Sequence, residues 1–458
     1  MQIIDIQKIS QQVNARTLFS ATHLIVNEHD RVGIVGNNGA GKTTLLRLIA
    51  HELPLDQGQI IVKQSANYIA ASVDPNLALS GGQQQWQLER NQILAANKLL
   101  LLDEPTNNLD SQHVELLINL LKRYRGTIIL VSHDRYLLNA ICSKIWSIEQ
   151  QKITEYVGNY DSFVQMQTRQ RQNQVKLWEN QTKEKKKLQA ALTTKQNQAN
   201  RAAKAPKGVG KNEAKNVKNY YANKQKKLDR SAKALKQQIT KLQAVKQPRK
   251  TKQIKIDHQV TNNLKNQVLV KFNKYRGDFY GQMLWQPFTA SIRASDKIAL
   301  IGDNGSGKTT FITQMLHSDA VSLSSAAKIG YFSQQIKNLI WSRTVKQNVM
   351  TTANVAESEA LTLLASMGIE RELFNQPVDE LSDGQQTKVA LAKVLLSEIN
   401  FLLLDEPTNY LDLASIQALE QFMQQFSGAV LLISHDQALV QNVATTIWHI
   451  ANNKIIIN

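Results

Sequence analysis

Two stretches carry residues whose types and spacing suit phosphate chemistry. Gly36-Asn37-Asn38-Gly39-Ala40-Gly41-Lys42-Thr43 and Gly302-Asp303-Asn304-Gly305-Ser306-Gly307-Lys308-Thr309 each have the pattern of a phosphate-cradling loop. Glycines let backbone N–H groups close on phosphate oxygens, the lysine brings a positive charge to the β/γ oxygens, and the threonine offers a hydroxyl to Mg²⁺. Thr44 and Thr310 follow as the next residues of the helix that each loop opens. A second pair of stretches ends in acids: Leu99-Leu100-Leu101-Leu102-Asp103-Glu104 and Phe401-Leu402-Leu403-Leu404-Asp405-Glu406. Asp103 and Asp405 are placed to hold Mg²⁺, directly or through water. Glu104 and Glu406, one residue on, are placed to polarise an attacking water. A third pair, Ser132-His133-Asp134 and Ser434-His435-Asp436, puts His133 and His435 at the polar ends of two further apolar runs, where a γ-phosphate could be sensed.

These groups need parallel strands to present them. Arg31-Val32-Gly33-Ile34-Val35 before the first loop reads as a strand, and Thr44-Leu45-Leu46-Arg47-Leu48-Ile49 after it as a helix. The short apolar runs before the acids and the histidines read as buried strands. The whole programme occurs twice, which means two similar α/β domains rather than a solenoid. We expect domains at 1–160 and 253–458, with an arm at 161–252 between them.

The arm is rich in Lys, Gln, Ala, Asn and Leu, and is broken by turn signals only at Lys204-Ala205-Pro206-Lys207-Gly208-Val209-Gly210-Lys211-Asn212. That pattern predicts two long helices joined by a tip near 204–212. Residues 161–250 hold 24 Lys/Arg against five Asp/Glu, a net of +19, while the whole chain carries +18. The excess charge therefore sits on the arm. A neutral spacer needs no such bias, and a polyanion neutralised by it would release counterions, so RNA or DNA is the favoured partner. No apolar run approaches the ~18–20 residues of a membrane span, and the start of the chain lacks the pattern of a secretory signal. The single cysteine, Cys142, excludes an intramolecular disulfide and permits the cytosol.

Between loop and acidic strand each half carries one more element, Leu79-Ser80-Gly81-Gly82-Gln83 and Leu381-Ser382-Asp383-Gly384-Gln385. With the motifs above, these resemble the signature of ATP-binding-cassette ATPases. Glu104-Pro105-Thr106-Asn107-Asn108-Leu109-Asp110 and Glu406-Pro407-Thr408-Asn409-Tyr410-Leu411-Asp412 resemble the form typical of the ABC-F subfamily. The resemblance covers the whole chain, and the arm is most similar to those of Vga-type antibiotic-resistance members.

It implies a soluble, monomeric, cytoplasmic ATPase of two tandem cassettes joined by a helical hairpin, using ATP and Mg²⁺ and acting on the ribosome without a membrane domain. It further implies two composite ATP sites. One pairs Lys42, Thr43, Asp103, Glu104 and His133 with Ser382 and Gly384; the other pairs Lys308, Thr309, Asp405, Glu406 and His435 with Ser80 and Gly82. Gly81, Gln83 and Gln385 belong to the same nucleotide-gripping motifs, and Gln334 of Tyr331-Phe332-Ser333-Gln334 matches the glutamine that faces nucleotide and metal. In resistance members the arm enters from the tRNA exit site toward the peptidyl-transferase centre. Lys204, Pro206, Lys207, Val209 and Lys211 of the tip are then the expected contacts to 23S rRNA and peptidyl-tRNA. A housekeeping translation factor of the same subfamily, and more distantly the ATPase subunit of an exporter, are the competing readings.

The halves also differ. Ala71 stands where the second half has Gln334, and only 8 positions separate Ala71 from Leu79, against 47 from Gln334 to Leu381. The first half has thus lost most of a helical subdomain. Asp383 adds a negative charge where glycine is usual, and Phe279 or Tyr280 can stack on adenine where the aligned Val13 and Asn14 cannot. The Lys308/Glu406 site is therefore expected to be the better hydrolase. Glu406→Gln should lower steady-state ATP turnover more than Glu104→Gln, and equal losses in a phosphate-release assay would contradict the asymmetry.

Overall fold

Five-residue runs such as Leu99–Asp103 and Phe401–Asp405 are buried along their whole length. A strand buried on both faces belongs to a parallel sheet covered by helices, and both halves of the chain are built on one. The computed structural model describes residues 1–458 except 14–15, 71–85, 87–89, 96–97, 108, 203–213, 242–266, 334–337 and 410. It divides into two compact units, Met1–Phe163 with Lys252–Asn458, and Val164–Thr251.

In the first half the elements run β1 (Gln2–Val13), β2 (Arg16–Asn27), β3 (Arg31–Gly36), α1 (Lys42–Ile49), β4 (Gln57–Val62), β5 (Ala66–Ile69), β6 (Leu99–Asp103), α2 (Ser111–Arg123), β7 (Thr127–Val131), α3 (Arg135–Ile141), β8 (Lys144–Glu149) and β9 (Lys152–Val157). They form one nine-stranded sheet ordered β4-β1-β2-β9-β8-β3-β7-β6-β5. The stretch β8-β3-β7-β6-β5 is parallel throughout. The antiparallel β1, β2 and β4 are joined to it through the Ser20–Lys152 pair. Cys142 is buried at the end of α3, where burial pushes its thiol up to about 12.

After the arm helices α4 (Tyr160–Ala202) and α5 (Ala214–Lys241) the plan recurs. β10 (Val268–Phe279), β11 (Gln282–Arg293), β12 (Lys297–Gly302), α6 (Lys308–Met315), β13 (Val321–Leu323) and β14 (Ile329–Phe332) come first. Then follow α7 (Val345–Met350), α8 (Glu357–Ser366), α9 (Asp383–Leu395), β15 (Phe401–Asp405), α10 (Leu413–Gln425), β16 (Ala429–Ile433), α11 (Gln437–Val443), β17 (Thr446–Ala451) and β18 (Lys454–Ile457). Here the sheets are separate, β11-β10-β13 and β14-β15-β16-β12-β17-β18. Between β5 and β6 lie only residues 70–98, whereas residues 333–400 between β14 and β15 hold α7, α8 and α9. Those helices pack their own apolar core, including Val345, Leu363, Leu364, Met367 and Leu391, against the sheet.

Aromatic packing joins the two sheets of the second half. Phe272, Tyr275, Trp285, Phe311 and Trp448 are all buried, and Phe272 lies 5.4 Å from Tyr275 and 5.6 Å from Trp448 between ring centroids. Gly277 pairs with Trp285 across β10 and β11, and a Cβ there would lie 2.3 Å from the indole. Gly277→Ala is therefore expected to destabilise this half by about 1–3 kcal/mol through overpacking. An unchanged thermal midpoint would show that Trp285 can move aside.

In the arm, α4 spans 43 residues and α5 spans 28; at ~1.5 Å per residue these are about 65 and 42 Å long. Their side chains are mostly exposed, with Ala199 and Ala232 buried. The tip residues Lys204, Pro206, Lys207, Val209 and Lys211 lie outside the described residues. Among the described residues no helix is long and apolar enough to cross a membrane.

Candidate active site

Each phosphate loop follows a central parallel strand, β3 or β12, and opens a helix, α1 or α6. The turn from strand to helix needs a left-handed residue, supplied by Gly41 (φ 94°) and Gly307 (φ 95°). Room is as tight as the backbone demands, since a Cβ on Gly41 would lie 2.8 Å from the Phe19 ring. Each lysine is folded over its loop. Lys42 Nζ donates to Gly36 O (3.0 Å) and Asn37 O (3.3 Å), and Lys308 Nζ to Gly302 O (2.8 Å) and Asp303 O (3.0 Å). Burial lowers the pKa of both ammonium groups, against the pull of nearby acids, Glu104 and Glu406 foremost.

Opposite each lysine stand the acids. Glu104 and Glu406 lie just past the strand ends with φ of 47° and 49°. Non-glycine residues rarely hold that conformation, and when they do the strain is characteristic of functional sites. It is held here by a backbone bond from Glu104 N to Val131 O and from Glu406 N to Ile433 O, both 2.9 Å. The side chains then meet the histidines. His133 Nε2 is 3.3 Å from Glu104 Oε1 and its backbone N–H donates to Oε2 (3.1 Å); the corresponding distances for His435 and Glu406 are 3.2 and 3.4 Å.

Burial pushes both glutamic acids up to about 7, although Lys42 and Lys308 pull the other way. It also pushes His133 down to about 3 and His435 down to about 4, with the same lysines adding to the effect. Each pair thus combines a neutral imidazole with a carboxyl poised near neutrality, as a general base for water requires.

The carboxylates also fit a divalent cation. Among the described residues Asp103 Oδ1 is buried without a hydrogen-bond partner, and the buried Asp405 carboxylate has only the Thr309 hydroxyl as a hydrogen-bonding neighbour. These oxygens, with the Thr43 and Thr309 hydroxyls that line the same cavity, are the hard donors that Mg²⁺ takes.

Both groups open on a single cavity of about 990 Å³ within the larger unit. From the first half it is lined by Asn38, Gly39, Gly41, Lys42, Thr43, Thr44, Asp103, Glu104 and His133. The second half contributes Asn304, Gly305, Gly307, Lys308, Thr309, Thr310, Asp405, Glu406 and His435. Gly36, Asn37, Ala40, Gly302, Asp303 and Ser306, the remaining residues of the two loops, are not in this lining. Val13 and Phe279 also line the cavity, whereas Tyr280 is almost wholly exposed, its ring centroid 4.6 Å from that of Phe279.

Ser382, Gly384 and Gln385 are not in the lining. They form the start of α9, where Ser382 N donates to Gln385 Oε1 (3.0 Å), so this glutamine side chain is engaged with its own helix end. Ser80, Gly81, Gly82, Gln83, Ala71 and Gln334 lie outside the described residues.

Two further acids, which sequence reasoning does not single out, tie the halves together. Asp412 Oδ2 accepts the Asn38 N–H (3.2 Å), and Asp110 Oδ2 accepts the Asn304 N–H (3.4 Å). Each closes a motif already noted and N-caps the helix that follows, α10 or α2. The cap explains the residue type, but the reach to the opposite loop shows only in three dimensions. Beside them the Arg135 guanidinium donates to Glu420 at 2.8 Å, again across the halves.

Comparison with known proteins agrees with this geometry. The protein family described as ABC transporter matches residues 19–76 and 285–409. The chain is 31% identical to the ribosome protection protein VmlR of Bacillus subtilis, over 99% of this chain and 88% of that protein. It is 28% identical to the erythromycin resistance ATP-binding protein MsrA of Staphylococcus epidermidis, over 99% and 98%. With the ATP-binding protein Uup of Escherichia coli it shares 27% identity, over 94% and 77%. Among solved structures, the archaeal ribosome recycling factor aABCE1, in complex with the ribosomal stalk protein aP1, superposes with a TM-score of 0.62. That match has 16% identity over 96% of this chain and 87% of the other, a likeness of fold.

Proposed function

We propose, since this chain belongs to the ABC-F subfamily of ATP-binding-cassette ATPases, that ATP closes its two cassettes and lets the basic arm engage the ribosome. The chain is an ATPase, converting ATP and water to ADP and phosphate. In our reading it is a cytoplasmic monomer of three parts, 1–160, 161–252 and 253–458, that protects the ribosome from antibiotics acting at the peptidyl-transferase centre. The classes are lincosamides, streptogramin A and pleuromutilins. The arm enters from the tRNA exit site, and tip residues Lys204, Pro206, Lys207, Val209 and Lys211 meet 23S rRNA and peptidyl-tRNA.

The observation that carries this reading is the arm itself, a +19 helical segment set between two ATPase cassettes whose other charges nearly cancel. The relatives named for ribosome protection and erythromycin resistance support it, and they match the chain over nearly its whole length.

At each site the loop N–H groups and the lysine bind the triphosphate, and the neutral histidine faces its γ end. Glu104 or Glu406 takes a proton from the attacking water. Thr43 with Asp103, and Thr309 with Asp405 and Gln334, would hold Mg²⁺, which supplies charge neutralisation to the phosphates when bound. Ser382 and Gly384, and in the other site Ser80 and Gly82, grip the nucleotide from the opposite cassette. Loss of the γ-phosphate removes that grip, so the nucleotide state acts as a conformational switch.

A translation factor of the same subfamily without resistance activity is the second reading, favoured by the likeness to Uup, whose name carries no resistance. Expression in a drug-sensitive bacterium separates the two. Raised minimum inhibitory concentrations for lincosamides, streptogramin A or pleuromutilins are expected. Unchanged values for all three, with the protein bound to ribosomes, would favour the second reading.

A further inference from the structure

The carboxylates that cross between the halves are braced by different chemistry. Lys388, six residues after Ser382 on α9, donates to Asp412 Oδ2 at 2.7 Å with both side chains buried. Ser415 Oγ donates to Asp412 Oδ1 at 2.6 Å. The same Oδ2 accepts the Asn38 N–H of the opposite phosphate loop. An unbroken chain of polar contacts therefore runs from Lys388, midway along α9, to the loop that carries Lys42.

In the other half, six residues after Ser80, stands Trp86. Its ring meets His113 edge-on, 6.0 Å between centroids, and His113 Nδ1 lies 2.6 Å from Asp110 Oδ1. His113 occupies the place of Ser415, three residues after the aspartate in each half. The lysine side chain on one side is thus replaced on the other by an imidazole backed by an indole.

The difference reaches the nucleotide sites. Burial alone would raise Asp412, but Lys388 overrides it and holds the carboxyl at about 2. Against burial, Asp110 is also lowered by its bonds with His113 and the Asn304 N–H, so what differs between the halves is the ammonium bonded to Asp412. Asp412 and Lys388 act electrostatically on Lys42 and His133 with opposite signs, so at the first site the carboxylate that reaches the loop comes with its own cation. At Lys308 and His435 the corresponding influence is the Asp110 carboxylate, whose bonded partners among the described residues are His113 and Asn304. A triphosphate is better compensated in the first site, and the loop that cradles it is better held.

We infer that Lys388 is a positioning residue for the Lys42 site: acting through Asp412 on the Asn38 loop, it makes this the nucleotide-retaining site, while the Trp86–His113 brace leaves the Lys308 site to exchange. The inference rests on the two-site ATPase reading above and deepens it by giving the sites different roles.

The test follows retention at each site separately. Protein loaded with 8-azido-ATP is freed of unbound nucleotide, irradiated, and the labelled peptides of the two halves are quantified. Because Lys388→Met alone would strand a buried carboxylate, it is combined with Asp412→Asn. This pair should cut first-half labelling about tenfold, or ~1.4 kcal/mol, with second-half labelling unchanged. Lys388→Arg, which keeps the charge, should stay within about twofold of the parent. The converse exchange, Trp86→Lys with His113→Ser, should raise second-half retention, and it keeps the inference open to test if the first pair fails to fold.

Equal losses in both halves, or no loss in either, would overturn the inference and leave the ATPase reading standing. A parent protein that takes up no label in either half would overturn both.

Discussion

Replacing Glu104 and Glu406 together by Gln is expected to slow ATP hydrolysis by about 10²–10⁴-fold, the range that a positioned general base supplies. The substitution keeps the shape of each side chain and its bond to the histidine backbone N–H, so the cavity and nucleotide binding should survive. It removes the group able to accept a proton from water. Burial holds both carboxyls near 7, and kcat/KM reports the free enzyme. The parent's kcat/KM should therefore rise with pH through about 7, as each carboxyl gives up its proton and becomes able to act as a base. The residual activity of the double variant should lack that limb. With hydrolysis blocked, the ATP-closed form accumulates, and the variant should pellet with ribosomes through a sucrose cushion in the presence of ATP. Release at the parent's rate would separate hydrolysis from dissociation and break the proposed cycle.

How much of this was open to sequence reading depends on distance along the chain. The phosphate loops lie within eight residues and carry their own confirmation, a strand before and a helix after. The acidic strands were legible because parallel-sheet burial writes itself as an uninterrupted apolar run, Leu99–Leu102 or Phe401–Leu404. Glu104 and His133 are 29 positions apart, and their pairing could be suspected from repetition of the same two motifs in the second half.

Asp412 is a different case. Its role as helix cap is local, but its bonds to Lys388 and to Asn38, 24 and 374 positions away, are set by how α9 and α10 pack and how the halves meet. No period or propensity encodes that. The exchange of Lys388 for Trp86 carries no signal in the sequence; in the structure Lys388 bonds Asp412, and Trp86 packs on the His113 that bonds Asp110. The aromatic cluster around Trp285 was hidden for the same reason, because its members come from β10, β11, α6 and β17.

Ribosome binding should weaken steeply with salt if the arm is what touches RNA. Each phosphate neutralised releases counterions, with a slope in log K against log salt of about −0.7 to −0.9 per phosphate. Neutralising about six to ten phosphates, well within the reach of an arm of net +19, would cost about 10³–10⁵ in affinity between ~50 and ~200 mM salt. On α4 the residues Arg169, Lys176, Lys183 and Lys187 are spaced by seven, seven and four positions, which at 3.6 residues per turn sets them along one face, and all four are exposed. Changing the four to Gln should reduce the slope by about one for each phosphate no longer neutralised, so by up to ~4, while ATP turnover without ribosomes stays the same. A lone charge elsewhere on the surface would not act in this graded way. A binding constant that ignores salt, or a slope untouched by the four substitutions, would place the RNA-binding surface away from this face and remove the electrostatic case for an RNA partner there.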